Sequence, residues 1–214
     1  YYPGRYTIIP NGVNTRRFRP DAPRPKIYQA LKGPVVLYVG RMEPRKGFPR
    51  LAAAWPLVKR AVPEAQLVAV GKGPQLEEYK ALVKDFADSV HFVGYVPGDE
   101  LPGYYAGASV YTSPAVGGET FGIVLVEAMA SGAPVVASNI SGYAQVIKHG
   151  VNGLLVDTQN PEAYAEAIIS VLKNPELARR LREEGFKTAE RYSWDRVAEQ
   201  VEALYERVLN EIKG

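Results

Sequence analysis

The chain has 214 residues, 46% of them hydrophobic and 23% charged, which suits one large domain or two small ones with an adequate core; no run of about 18 apolar residues offers a membrane span. Its 26 basic and 23 acidic side chains leave a net charge of +3, too small and too dispersed to argue for a nucleic-acid partner. Without cysteine there is no disulfide framework, thiolate nucleophile or cysteine-ligated metal, and His91 and His149 alone are a poor basis for zinc.

The chain opens on Tyr1-Tyr2-Pro3-Gly4-Arg5 with no charged n-region followed by an apolar h-region, so it is expected to be a piece of something longer rather than to carry a signal peptide. Short β-rich runs follow at Val35 to Val39, Gln66 to Val70, Val90 to Val93, Val110 to Thr112, Pro134 to Ala137 and Gly153 to Val156, with segments between them that can be helical. Their alternation predicts an α/β fold, a Rossmann-like doubly wound parallel sheet of about six strands with helices on both faces. The runs are too apolar for one-sided burial, and right-handed crossovers put their glycine-rich ends on one edge. Ligands of such a sheet bind beyond the carboxyl ends of its strands, so the loops Gly40 to Lys46, Gly71 to Gly73, Gly94 to Pro97 and Pro114 to Gly122 are expected to converge. The tail reads as three helices, Pro161 to Lys173, Pro175 to Arg191 and Ser193 to Ile212, the first two capped by Asn160 and Asn174 ahead of a proline. In the last, Val197, Val201, Leu204, Tyr205, Val208 and Ile212 recur at helical spacing.

Chemistry concentrates in two of the loops. Gly40-Arg41-Met42-Glu43-Pro44-Arg45-Lys46-Gly47 places cations where a phosphate would arrive: Arg41 can fork onto two phosphate oxygens and Lys46 supplies a point charge, while Arg45 is expected to face solvent. Further on, Gly117-Gly118-Glu119-Thr120-Phe121-Gly122-Ile123-Val124-Leu125-Val126-Glu127 carries two glutamates eight positions apart. With a helix starting near Phe121, their carboxylates stand up to ~12 Å apart at ~1.5 Å per residue. That fits neither the ~5 Å of a retaining glycosidase pair nor the ~6.5 to 9.5 Å of an inverting one. It does match the span from a nucleotide's ribose to the sugar on its diphosphate, with the free N–H groups of Phe121, Gly122 and Ile123 facing the diphosphate from a helix N-terminus.

Gly71-Lys72-Gly73-Pro74 lacks the third glycine of a dinucleotide fingerprint, and no acidic residue closes a later strand at the ribose distance, so it reads as a tight turn into a helix or as a donor loop. No Asp-x-Asp triplet is present to hold a diphosphate-bound divalent metal, and neither metal nor cofactor is expected. His149, before Gly150, is expected at a helix end where an imidazolium complements the dipole, and His91 inside a strand as a packed or hydrogen-bonded residue.

The glutamate stretch, with G-G-E-T-F-G and E-A-M-A-S-G around it, resembles the E-x7-E signature of retaining GT-B glycosyltransferases (glycosyl transferases group 1), and Gly118 to Ser138 is most similar to bacterial phosphatidyl-myo-inositol mannosyltransferases. The resemblance extends over nearly the whole chain. It implies one half of a GT-B fold: an interdomain segment at 1–20, carrying Ile8-Ile9-Pro10-Asn11-Gly12-Val13-Asn14 and Phe18-Arg19-Pro20, a donor-binding domain at 21–192 and a C-terminal helix at 193–214. The apolar stripe of that helix either packs on its own domain or returns to brace an N-terminal acceptor-binding half absent here. The resemblance further implies a hexosyltransferase using GDP-mannose, with a UDP- or ADP-sugar second, and an acceptor that is a membrane lipid, at a cytoplasmic site peripheral to the inner face of the plasma membrane. Glu119 is then expected on the donor sugar, Glu127 on the ribose, and Arg41 and Lys46 on the diphosphate, with Glu119, Arg41 and Lys46 as the catalytic set. Gly40, Gly71, Thr120, Phe121, Gly122, Ile123 and Val124 complete the donor site, and Val96 the base pocket. Gly98 and Leu101 fall where the guanine-reading acidic and lysine side chains of mannosyltransferases are expected, which departs from the pattern. Family members often show a glycine pair and Pro-Glu where this chain has Ser141-Gly142-Tyr143-Ala144-Gln145, so the helix there is expected to be scaffold. A noncatalytic nucleotide-sugar-binding module is the rival reading, and an epimerase or phosphorylase a distant third because the pyridoxal-phosphate lysine motif is missing.

Overall fold

The computed structural model describes residues 6–213, with side chains as far as Glu211. The first five residues of the expected interdomain segment, the Ile212 side chain and Gly214 lie outside the described residues. Six parallel strands, β1 (Val35–Val39), β2 (Gln66–Val70), β3 (Val90–Gly94), β4 (Val110–Ser113), β5 (Val135–Ser138) and β6 (Leu154–Val156), form one sheet in the order β3-β2-β1-β4-β5-β6. The expected runs agree to within one residue at each end. Alternation along β1 sorts its side chains: Val35 and Leu37 enter one core with Val68, Tyr111 and Val135, while Val36 and Tyr38 enter the other with Leu67, Val110 and Val136. Both faces are therefore buried, as a parallel sheet requires.

Helices α1 (Ile27–Ala30), α2 (Phe48–Ala61), α3 (Leu76–Leu82), α4 (Leu101–Ala106), α5 (Ile123–Ala130), α6 (Ser141–Ala144), α7 (Pro161–Lys173), α8 (Pro175–Arg191) and α9 (Trp194–Lys213) follow the chain order. One core is covered by α2, α3 and α7, with Trp55 and Tyr164 fully buried; the other is covered by α4 and α5, against which α8 packs. Asn160 Oδ1 accepts from Ala163 N and Asn174 Oδ1 from Leu177 N, each at 3.0 Å, so both expected caps form. α9 begins one residue later than expected. Val197 is buried on it, but Tyr205, Val208 and Leu209 are exposed. Among the described residues no helix is long and apolar enough to cross a membrane.

The chain runs from β1 outward through β2 and β3, then returns to place β4 on the other side of β1. The strand order reverses there, and the crevice of such a sheet opens beyond the carboxyl ends of those two strands. The loops after β1 and β4 are the two that carry the chemistry. Their neighbours are stitched by backbone bonds: Gly40 N donates to Val70 O at 3.0 Å, Gly71 N to Gly94 O at 2.7 Å and Met42 N to Lys72 O at 3.1 Å. Gly71 has φ +136°, and a Cβ there would stand 1.9 Å from Gly40 O, so this turn tolerates only glycine.

His149 departs from expectation. α6 ends at Ala144, and His149 Nδ1 accepts from Leu155 N at 3.1 Å, so the ring closes the turn into β6 rather than standing at a helix end. His91 Nε2 meets Gln66 Oε1 at 2.8 Å across neighbouring strands.

Gly71→Ala should combine backbone strain with a clash against Gly40 and lower stability by about 3 kcal/mol, roughly 6 to 12 °C in Tm for a domain of this size. Gly117→Ala, where an added methyl meets nothing within 4 Å, should change stability by less than about 0.5 kcal/mol. Thermal unfolding of the two variants side by side checks both.

Candidate functional site

After β1, Gly40 leads into Arg41, whose side chain is 70% exposed, and then Met42, which is buried and anchors the loop. Pro44–Lys46 forms a 3₁₀ turn closed by Gly47 at φ +72°, with Gly47 N donating to Pro44 O. A Cβ on Gly47 would lie 1.9 Å from Pro114 O, and Val116 N donates to Arg45 O at 2.8 Å. The loops after β1 and β4 are thus in backbone contact.

That contact brings the expected charges together. Lys46 Nζ lies 2.5 Å from Glu119 Oε1, and Arg45 Nη1 reaches the same oxygen at 3.0 Å. The Lys46 and Glu119 side chains are only 18% and 12% exposed, so this pair is far less screened by solvent than the helix-surface pair Arg179–Glu183 at 54% and 53%. Arg45 faces solvent as expected, its side chain 50% exposed, yet it also spans Glu119 and Glu43, whose Oε1 lies 2.6 Å from Arg45 Nε without a hydrogen aligned on it. Glu43 also neighbours Arg41 Nε at 3.4 Å. Three cations therefore surround two carboxylates at the end of β1. The sequence carries no signal for the Arg45 pairing, because Arg45 and Glu43 are brought together by the 3₁₀ turn that Gly47 closes.

The glutamate loop rests on α6. A Cβ on Gly142 would stand 1.8 Å from Glu119 O, so α6 shapes the site even though it supplies no charged group. Gly122 has φ +79°, and a Cβ there would meet the ring of Tyr143 at 2.7 Å, whose hydroxyl pairs with Ser113 Oγ at 2.6 Å. Gly122 thus turns the chain into α5, which begins at Ile123 rather than near Phe121. Among the described residues the N–H groups of Phe121, Gly122, Ile123 and Val124 donate to no protein acceptor, and they stand at the positive end of the helix. Thr120 is exposed at the rim, Phe121 buried, and Ile123 and Val124 half-buried in the first turn.

Glu127 lies just over one turn into α5 and has a different environment. Tyr105 of α4, fully buried, donates its hydroxyl to Glu127 Oε2 at 3.2 Å. Burial raises the Glu127 carboxyl to about 7, against the Tyr105 hydrogen bond and the charge of Arg17, which both act to lower it. Glu119 and Glu127 share no partner, as two hooks for separate rings would require. Val96, in the loop after β3, buries its side chain in the core, and only its backbone can face a ligand. Gly71 shapes its turn without presenting a side chain.

The arrangement can grip a diphosphate with cations and unpaired amides, and it offers hydroxyls a carboxylate at either end. A family model for glycosyl transferases group 1 matches residues 22–188. The chain is 39% identical over 201 residues to a phosphatidyl-myo-inositol mannosyltransferase of Mycobacterium leprae, covering 94% of this chain and 53% of that protein. It is 40% identical over 176 residues to a GDP-mannose-dependent alpha-(1-6)-phosphatidylinositol monomannoside mannosyltransferase of Mycobacterium tuberculosis, covering 77% and 46%. The chain therefore spans about half the length of these curated relatives. Among solved structures, sucrose-phosphate synthase of Thermosynechococcus elongatus superposes with a TM-score of 0.82 at 33% identity, over 98% of this chain and 54% of that one. The parallel sheet, the switch-point loops and this breadth of similarity together make the chain a member of the glycosyl transferases group 1 family, with the Rossmann-like fold of one GT-B half.

Proposed function

We propose that this chain is the donor-binding half of a retaining, metal-independent mannosyltransferase that uses GDP-mannose. The observation that carries the reading is the meeting of Lys46 and Arg45 on Glu119 beside the four unpaired amides of residues 121–124. The diphosphate lies on those amides, with Arg41 forking onto its oxygens, and competes with Glu119 for Lys46. Glu119, relieved of part of its ion pair, turns to the hydroxyls of the sugar. Glu127 accepts from the ribose, and the base lies beyond it toward the backbone of Val96. Gly40 and Gly71 keep the rim free of side chains where the nucleotide approaches.

In the reaction, the bond between the anomeric carbon and the phosphate oxygen breaks while the acceptor oxygen attacks the same face. The acceptor's proton passes to the departing phosphate, so configuration is retained. Arg41, Lys46 and the amide cluster stabilise the charge that develops on the leaving diphosphate, in place of a metal. The acceptor is held by an N-terminal half that the relatives' greater length leaves room for, and the exposed Tyr205, Val208 and Leu209 of α9 brace against it. The relatives' names point to a phosphatidylinositol-type lipid acceptor, hence to a cytoplasmic enzyme working at the inner face of the plasma membrane. Alone, these residues bind donor and transfer nothing beyond slow hydrolysis.

Arg41→Ala and Lys46→Ala should each weaken GDP binding by about tenfold or more in calorimetry, the loss of one charge-assisted phosphate contact. Unchanged affinity in both would overturn the assignment. Glu127 makes a separate prediction. Its raised carboxyl favours the folded state below its unfolded value and costs stability as pH climbs through about 7. Glu127→Gln should therefore leave Tm near that of the parent at pH 5 and raise it relative to the parent at pH 8. Ribose hydroxyls donating to the carboxylate favour its ionised form, so parent affinity for GDP should rise from pH 6 to pH 8 more steeply than that of Glu127→Gln, the nucleotide's own ionisation being common to both.

A further inference from the structure

The base end of this cleft holds a cation that the donor reading leaves without a task. Arg17 belongs to the segment before α1, where its backbone N–H is fixed by Asn14 Oδ1 at 3.1 Å. Its guanidinium carbon sits 5.4 Å from the centroid of the Phe18 ring, and Phe18 meets Tyr105, the donor to Glu127, edge-on at 6.0 Å. The two arginines beside it are paired with carboxylates, Arg16 with Asp195 and Arg19 with Asp21, each at 3.0 Å. Among the described residues Arg17 has no carboxylate at ion-pairing distance, and its side chain is exposed. On its other side is Gly98, in the loop after β3: a Cβ built there would stand 2.5 Å from Arg17 Nη2. The guanidinium occupies the space that a side chain at 98 would need. Arg17 therefore abuts the loop assigned to the base, and its charge acts on the carboxylate assigned to the ribose.

A guanidinium only donates, and its N–H groups lie in one plane as a fork. Guanine offers that edge two adjacent acceptors, N7 and O6, whereas adenine sets an amino donor beside N7 and uracil an N3–H beside O4. We propose that Arg17 reads the base of the sugar nucleotide, its planar fork meeting O6 and N7 of guanine beside the loop that carries Gly98. This rests on the donor reading above, and it assigns base selection to a residue from outside the sheet's own loops.

Titration calorimetry of GDP, UDP and ADP against this chain and its Arg17→Ala and Arg17→Lys variants tests it. The parent should bind GDP about tenfold or more tighter than ADP, with UDP between. Arg17→Ala should lose about tenfold in GDP affinity while ADP changes by less than about twofold, and Arg17→Lys should recover part of the preference as a single donor. Gly98→Ala, whose methyl would stand 2.5 Å from Arg17 Nη2 and so displace the guanidinium, should also narrow the gap between GDP and ADP. An equal loss for all three nucleotides, an unchanged GDP affinity, or a parent that prefers ADP would overturn the proposal while leaving the donor site standing. Failure of the parent to bind any of the three would overturn the donor reading itself, and this inference with it.

Discussion

The rim of this sheet depends on close backbone approach between loops that follow different strands. Gly47 lies against Pro114, Gly71 against Gly40 and Gly142 against Glu119, each at a distance that a single methyl group would forbid. Those contacts are not independent of the charges. Because Gly47 lets the loop after β1 touch the loop after β4, Lys46 and Arg45 reach one oxygen of Glu119 from a turn only three residues long. A flexible lysine on a looser loop would lose side-chain entropy to make the same pair.

Charge is distributed along this rim by burial as much as by residue type. Glu119 stays among cations, whereas Glu127 faces the buried hydroxyl of Tyr105, and burial raises its affinity for a proton. The helix between them contributes a further, fixed polarity through amides that the fold itself leaves unpaired.

Much of the architecture was legible from residue order. The strand runs were β-branched, apolar and punctuated by glycine, and the caps at Asn160 and Asn174 sat ahead of prolines, so local propensity and tertiary structure agree there. The Arg41, Lys46 and Glu119 convergence could be read because a parallel sheet sends its loops to one edge. Arg45 could not, since its direction is set by the 3₁₀ turn and Gly47 rather than by its neighbours in sequence. The start of α5 was misplaced by two residues because Phe121 is apolar enough to belong to the helix, while the left-handed backbone of Gly122 excludes it. Tyr105 and Arg17 were invisible as partners of Glu127, being 22 and 110 positions away and related to it only through packing. His149 misled because a turn and a helix end carry the same His-Gly signature.

The segment before α1 is not merely draped on the surface. Val13 N donates to Tyr192 O at 2.7 Å, Trp194 N donates to Val13 O at 3.1 Å, and Gly12 packs on the Trp194 ring, which fastens the segment to the junction of α8 and α9. Five residues after Val13, Phe18 abuts Tyr105, and Tyr105 holds Glu127. The strap therefore touches two places at once, the root of the last helix and, through two aromatic rings, the Glu127 carboxylate. The anchorage of the last helix and the setting of the Glu127 side chain thus share one short run of chain, rooted at Val13.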